Sequence, residues 1–78
     1  IPITRTEDGL LVTMNAYTYV SLDLVNAGGI PVRHVYTGTL APGSQLIRVD
    51  WSGINMRNTY LALRINGTLK STKLLPLL

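Results

Sequence analysis

The sequence predicts an all-β domain, a β-sandwich of about seven antiparallel strands. Three observations carry that expectation. Apolar and polar residues alternate with a period of two along several short runs, as half-buried strands require. Reversals rich in Gly, Pro and Asn separate those runs. No window holds a convincing helical period, because β-branched residues and Gly interrupt every candidate.

Taken in order, residues 1–6 form an extended lead-in in which Pro2 is confined to an edge or a strand start. Glu7-Asp8-Gly9 carries turn chemistry, and residues 10–14 follow as a strand closed by Asn15-Ala16. Residues 17–25 form the next strand, with Val20, Leu22 and Leu24 on one face and Tyr19, Ser21 and Asp23 on the other. Asn26-Ala27-Gly28-Gly29 can hold a tight reversal, and a shorter strand spans residues 32–36. Ala41-Pro42-Gly43-Ser44 suits a type II turn, with Pro at its second and Gly at its third position. Residues 45–51 then alternate, setting Ile47, Val49 and Trp51 against Leu46, Arg48 and Asp50. Residues 52–58 are irregular, and Ile54 and Met56 there are candidates to plug one end of the core.

The clearest local signal is Asn66-Gly67, which sits between runs 60–65 and 68–75. A two-residue type I′ turn needs positive φ at both central positions, and Asn-Gly supplies it at least cost. Leu61, Leu63 and Ile65 share one face of the first arm, Tyr60, Ala62 and Arg64 the other. Strands 45–51, 60–65 and 68–75 are expected to run as a meander, which would point Arg48 and Arg64 outward from one sheet.

The chain has 78 residues, enough for one small domain, residues 1–78, with a thin core. At 46% hydrophobic and 14% charged it has the composition of a folded protein rather than a disordered one. It contains no cysteine, which excludes disulfides and thiolate metal sites. The net charge of +3 is spread over isolated Lys and Arg residues, the distribution of a mildly basic surface, and no nucleic-acid partner is expected. No apolar stretch approaches the ~20 residues of a membrane-spanning helix. The chain starts at Ile1 rather than Met, as a piece of a longer protein would.

The order of features resembles that of a known group. An apolar strand (Val20 to Leu24) and a Gly turn are followed by Gly38-Thr39-Leu40-Ala41-Pro42-Gly43-Ser44 and Ile47-Arg48-Val49-Asp50-Trp51. Then come Thr59-Tyr60-Leu61-Ala62-Leu63-Arg64-Ile65, Asn66-Gly67 and the closing Lys70-Ser71-Thr72-Lys73. The skeleton Gly43, Trp51, Tyr60, Arg64, Lys73 resembles the C-terminal sorting domains of the bacterial type IX secretion system and the related immunoglobulin-like domain of flagellar hook-capping proteins. That resemblance implies an immunoglobulin-like sandwich at the C-terminal end of a longer secreted or cell-surface protein. Its implied partners are an export machine or surface component and the parent protein's upstream domains.

Enzyme chemistry finds little footing in the sequence. His34 is the only histidine, and no nucleophile elbow presents Ser21, Ser44, Ser52 or Ser71 to it. A glycosidase needs facing carboxylates across a cleft, whereas Glu7, Asp8, Asp23 and Asp50 fall in turns or on strand faces. A lone His without Cys is no transition-metal site, and no phosphate-cradling Gly loop is present. The expectation is a non-catalytic module without cofactor, catalytic residue or metal. Two surface sets are candidates for binding. The cations Arg48, Arg64, Lys70 and Lys73 could form a docking stripe for an export component or an acidic polysaccharide. Alternatively Tyr17, Tyr19 and Tyr36 could stack against sugar rings, making the domain a carbohydrate-binding module, with Trp51 kept for the core. Asn66-Gly67-Thr68 also matches a glycosylation acceptor, but the turn already accounts for it.

Overall fold

A computed structural model describes residues 2–74 and the side chains of residues 2–70. Among them are β1 (Ile3–Arg5), β2 (Gly9–Met14), β3 (Thr18–Val25), β4 (Pro31–Leu40), β5 (Gly43–Arg48), β6 (Tyr60–Ile65) and β7 (Thr68–Leu74). A single 3₁₀ turn, Met56–Asn58, precedes β6. The strands build two antiparallel sheets, one of three strands in the order β1-β2-β5 and one of four in the order β4-β3-β6-β7. This is the all-β sandwich that the alternating pattern predicts.

The two sheets meet along the faces that period-two alternation makes apolar. Leu10, Val12 and Met14 of β2, with Ile3 and Ile47, pack toward Val20, Leu22 and Leu24 of β3 and Leu61 and Leu63 of β6. Leu10, Val12, Val20, Leu22 and Leu24 are wholly removed from solvent. Val49, Trp51, Ile54 and Met56 are partly buried and pack against that core, so the irregular segment does cover part of it. Trp51 is half-buried rather than enclosed. Its indole N–H donates to the Thr6 carbonyl at 3.0 Å, so the ring both packs and ties the β5–β6 connection to the β1–β2 turn.

Local chemistry accounts for the reversals. Asn66 and Gly67 take φ of 51° and 82°, the left-handed pair of a type I′ turn, and Ile65 lies opposite Thr68. In the β3–β4 turn, Asn26 Oδ1 accepts the Gly28 and Ile30 N–H groups at 2.9 and 3.0 Å, an Asx arrangement. Gly43 has φ of 105°, a conformation open to Gly, where the chain leaves one sheet for the other.

Two expectations need correction. The strand predicted over 32–36 extends over residues 31–40, because Thr37, Gly38 and Thr39 continue the ladder with β3. Strands 45–51, 60–65 and 68–75 are also not a meander, since β5 pairs with β2 in the other sheet. The connection over residues 49–59 then carries the chain from β5 back to β6 in the four-stranded sheet. Arg48 and Arg64 accordingly lie on different sheets and form no common stripe.

Candidate functional site on the four-stranded sheet

The outward face of β4-β3-β6-β7 gathers most of the side chains with recognisable chemistry. Regular alternation sends Tyr19, Ser21, Asp23 and Val25 of β3 to that face, and Tyr60, Ala62 and Arg64 of β6 to the same face. In β4 a bulge breaks the alternation: Leu22 lies opposite Tyr36 and Asp23 opposite His34, which leaves Val35 as an extra residue. Val35 and Tyr36 both turn toward the core, so His34 and Thr37 come out on the same side.

The result is a connected polar cluster. His34 Nδ1 lies 2.7 Å from Asp23 Oδ1, and His34 Nε2 lies 3.1 Å from Thr37 Oγ1. The Ser21 hydroxyl reaches Asp23 Oδ2 at 3.5 Å, and the Arg64 guanidinium approaches the same oxygen at 3.7 Å. With its proton on Nδ1 the ring donates to the carboxylate and Nε2 accepts from the Thr37 hydroxyl. Carboxylate, imidazole and hydroxyl thus stand in the order of an acyl-transfer relay. They stand on an open sheet, however, with the His34 side chain 59% exposed.

Beside this cluster runs a groove of about 460 Å³. Val25 and Ala62 form its floor, each only 3% exposed. The Gly28-Gly29 turn, Tyr60, Arg64 and Leu69 line the rest of it, with Tyr60 beside Val25 and Leu69 beside Arg64 in the ladders. Leu69 faces Arg64 across the β6–β7 ladder and is 51% exposed, an apolar wall left to solvent.

The candidate residues separate as follows. Arg48 is exposed on the three-stranded sheet, opposite Gly9. Arg64 is half-exposed at the groove. Lys70 is exposed and is the extra residue of a bulge in the β6–β7 ladder, since Leu63 lies opposite Ser71 and Arg64 opposite Leu69. The Lys73 backbone lies opposite Leu61, and its side chain falls outside the described residues. Tyr17 and Tyr19 are 76% and 48% exposed, as a sugar platform requires. Tyr36 does not join them. Its ring packs against the core and passes over Gly38, where a Cβ would lie 2.9 Å from the Tyr36 hydroxyl. The bulge at Val35 turned it inward. Sequence alternation placed Ser21 and Asp23 on the outer face, yet nothing in it signalled that His34 and Thr37 would meet them, or that Tyr60 and Ala62 would line a groove.

No family model matches this chain, and no curated protein or solved structure matches it either.

Proposed function

We propose that the chain is a non-catalytic β-sandwich module that sorts, or attaches to the cell surface, a larger secreted bacterial protein. The observation that carries this is the place of β7. β7 stands at the edge of the four-stranded sheet, and among the described residues no strand pairs with its outer side, which another chain could join. A bulge there displays Lys70. An edge strand can be read by an export component without disturbing the core, and the sorting-domain resemblance supports the same reading. Within the Asp23–His34–Thr37 cluster, Asp23–His34 is a cross-strand polar pair that supports register, and Thr37 bonds His34 along β4. The test fuses the module to a reporter in a bacterium carrying type IX machinery. Lys70→Gln with Lys73→Gln keeps strand length and should shift stability by less than about 0.5 kcal/mol each if both are surface residues. That folded double mutant should nevertheless show reduced export. Export at the level of the unmutated module would remove the lysines from the signal, and failure of the unmutated module would end the sorting role.

A second reading, a carbohydrate-binding module, is favoured by the exposed rings of Tyr17 and Tyr19. Affinity electrophoresis on cellulose, xylan and mannan measures it directly. Retardation that disappears in Tyr17→Ala with Tyr19→Ala, and persists in Arg64→Ala, would establish this reading over the first.

A further inference from the structure

We infer that the groove between Gly28-Gly29 and Tyr60 is a binding site for a small carboxylate whose body presents an apolar face. Its volume of about 460 Å³ lies in the range of small-molecule sites. The combination of surfaces is specific. Val25 and Ala62 give an apolar floor, Tyr60 and Leu69 add apolar lining, and Arg64, the cation among its described lining residues, stands beside Leu69. An uncharged apolar ligand would leave the guanidinium facing nothing, whereas a bare inorganic anion would leave the floor wet. A carboxylate on an apolar-faced body satisfies both.

The state of Arg64 supports the assignment. Its acidic neighbour Asp23 is already held by His34 at 2.7 Å. Arg64 approaches the other Asp23 oxygen only at 3.7 Å, beyond hydrogen-bond distance, and among the described residues it makes no hydrogen bond. A guanidinium carries five N–H donors in a planar fork that matches a carboxylate in bidentate fashion. The fork therefore retains donors for a ligand. Asp23, two residues from Val25 along the floor strand, orients the guanidinium loosely and competes with any incoming carboxylate. The Gly28-Gly29 side of the groove is preformed, because the Asn26 side chain fixes the turn through two hydrogen bonds.

Two sources can supply this chemistry, an aromatic acid or a sugar acid with its C–H face turned down, and the test separates them. The whole chain, labelled with nitrogen-15, is titrated with phenylacetate, with glucuronate and with phenylacetamide, following amide shifts. Saturable shifts at Ala62, Arg64 and Gly28-Gly29 are expected for at least one of the two acids, with phenylacetamide weaker by about tenfold or more. Which acid binds more tightly names the source. Arg64→Gln should weaken the acid by about tenfold, and Arg64→Lys should recover part of that loss. Asp23→Asn, which removes the competing charge, should tighten it several-fold. Equal binding of phenylacetamide, an Arg64→Gln variant that binds as before, weaker binding in Asp23→Asn, or no saturable shift with either acid would each overturn the assignment. None of these outcomes depends on the export assay, so this site stands or falls apart from the sorting reading.

Discussion

Gly9→Ala is expected to cost about 3 kcal/mol or more, the combined scale of core overpacking and a forced backbone conformation. Gly9 opens β2 directly opposite Arg48 of β5, and its φ is 156°. A Cβ built there would lie 2.0 Å from the Ile47 carbonyl oxygen and 2.8 Å from the Arg48 Cα. Both obstacles are backbone, so no rotamer change relieves them. The β2–β5 ladder must separate at this end, and the Thr6–Gly9 turn, closed by the Thr6 hydroxyl and the Gly9 N–H at 3.1 Å, must deform with it. A domain of this size has only about 4–12 kcal/mol in total. Urea unfolding should therefore show a large drop in midpoint. Two other glycines calibrate it. Gly53, at φ of 76° with open space where a Cβ would go, should cost only about 1–2 kcal/mol as Ala. Gly28, whose nearest contact is 3.4 Å from a Cβ and whose φ is not left-handed, should be neutral or gain about 0.4–1 kcal/mol. A Gly9→Ala loss no larger than that of Gly53→Ala would mean that Gly9 and Arg48 are not in register.

These contrasts also mark which parts of the fold were legible in the sequence. Wherever a strand keeps strict alternation, its buried face could be read directly, as with Val20, Leu22 and Leu24 or with Leu61 and Leu63. Asn66-Gly67 was equally plain, because few residue pairs tolerate two successive positive φ angles. Sheet membership was not. Run 45–51 reads as a strand with a buried face whether it pairs with β2 or β6, since both partners supply a similar apolar surface. Only the length of the connection over residues 49–59 separates the two, and its contents look like an ordinary loop.

The candidate site was hidden by the same limitation in another form. It depends on an extra residue at Val35, and a bulge leaves period-two reasoning one step out of phase for every residue beyond it. Strict alternation from His34 would carry Tyr36 to the surface and Thr37 inward; the bulge reverses both. Asp23 therefore looked like an isolated surface acid, although it lies between a histidine and an arginine that are distant in sequence. The groove is a further step removed. Val25 and Ala62 are buried on a face that alternation marks as solvent-exposed, because the Gly28-Gly29 turn and Tyr60 stand around them.

Trp51→Ala should cost about 2–4 kcal/mol, somewhat below the 3–5 typical of a fully enclosed aromatic, because the ring is only partly buried. The loss has two parts that can be separated. The ring packs against the core, as Ile54 and Met56 do, and truncation removes that contact. The indole N–H also satisfies the Thr6 carbonyl at 3.0 Å across the start of the chain. Trp51→Phe retains most of the apolar contact and removes the donor, so it should cost about 1 kcal/mol. The difference between the variants then measures packing alone. As the single tryptophan, Trp51 also reports its own environment: its emission should shift to the red on unfolding, in step with the loss of β-sheet circular dichroism. A cost under about 1 kcal/mol for Trp51→Ala would place the ring on the surface. Equal costs for Ala and Phe would instead mean that the hydrogen bond to Thr6 supplies the whole effect. In that case the irregular segment would be tied to the sandwich by its polar contacts, with the apolar side chains contributing little.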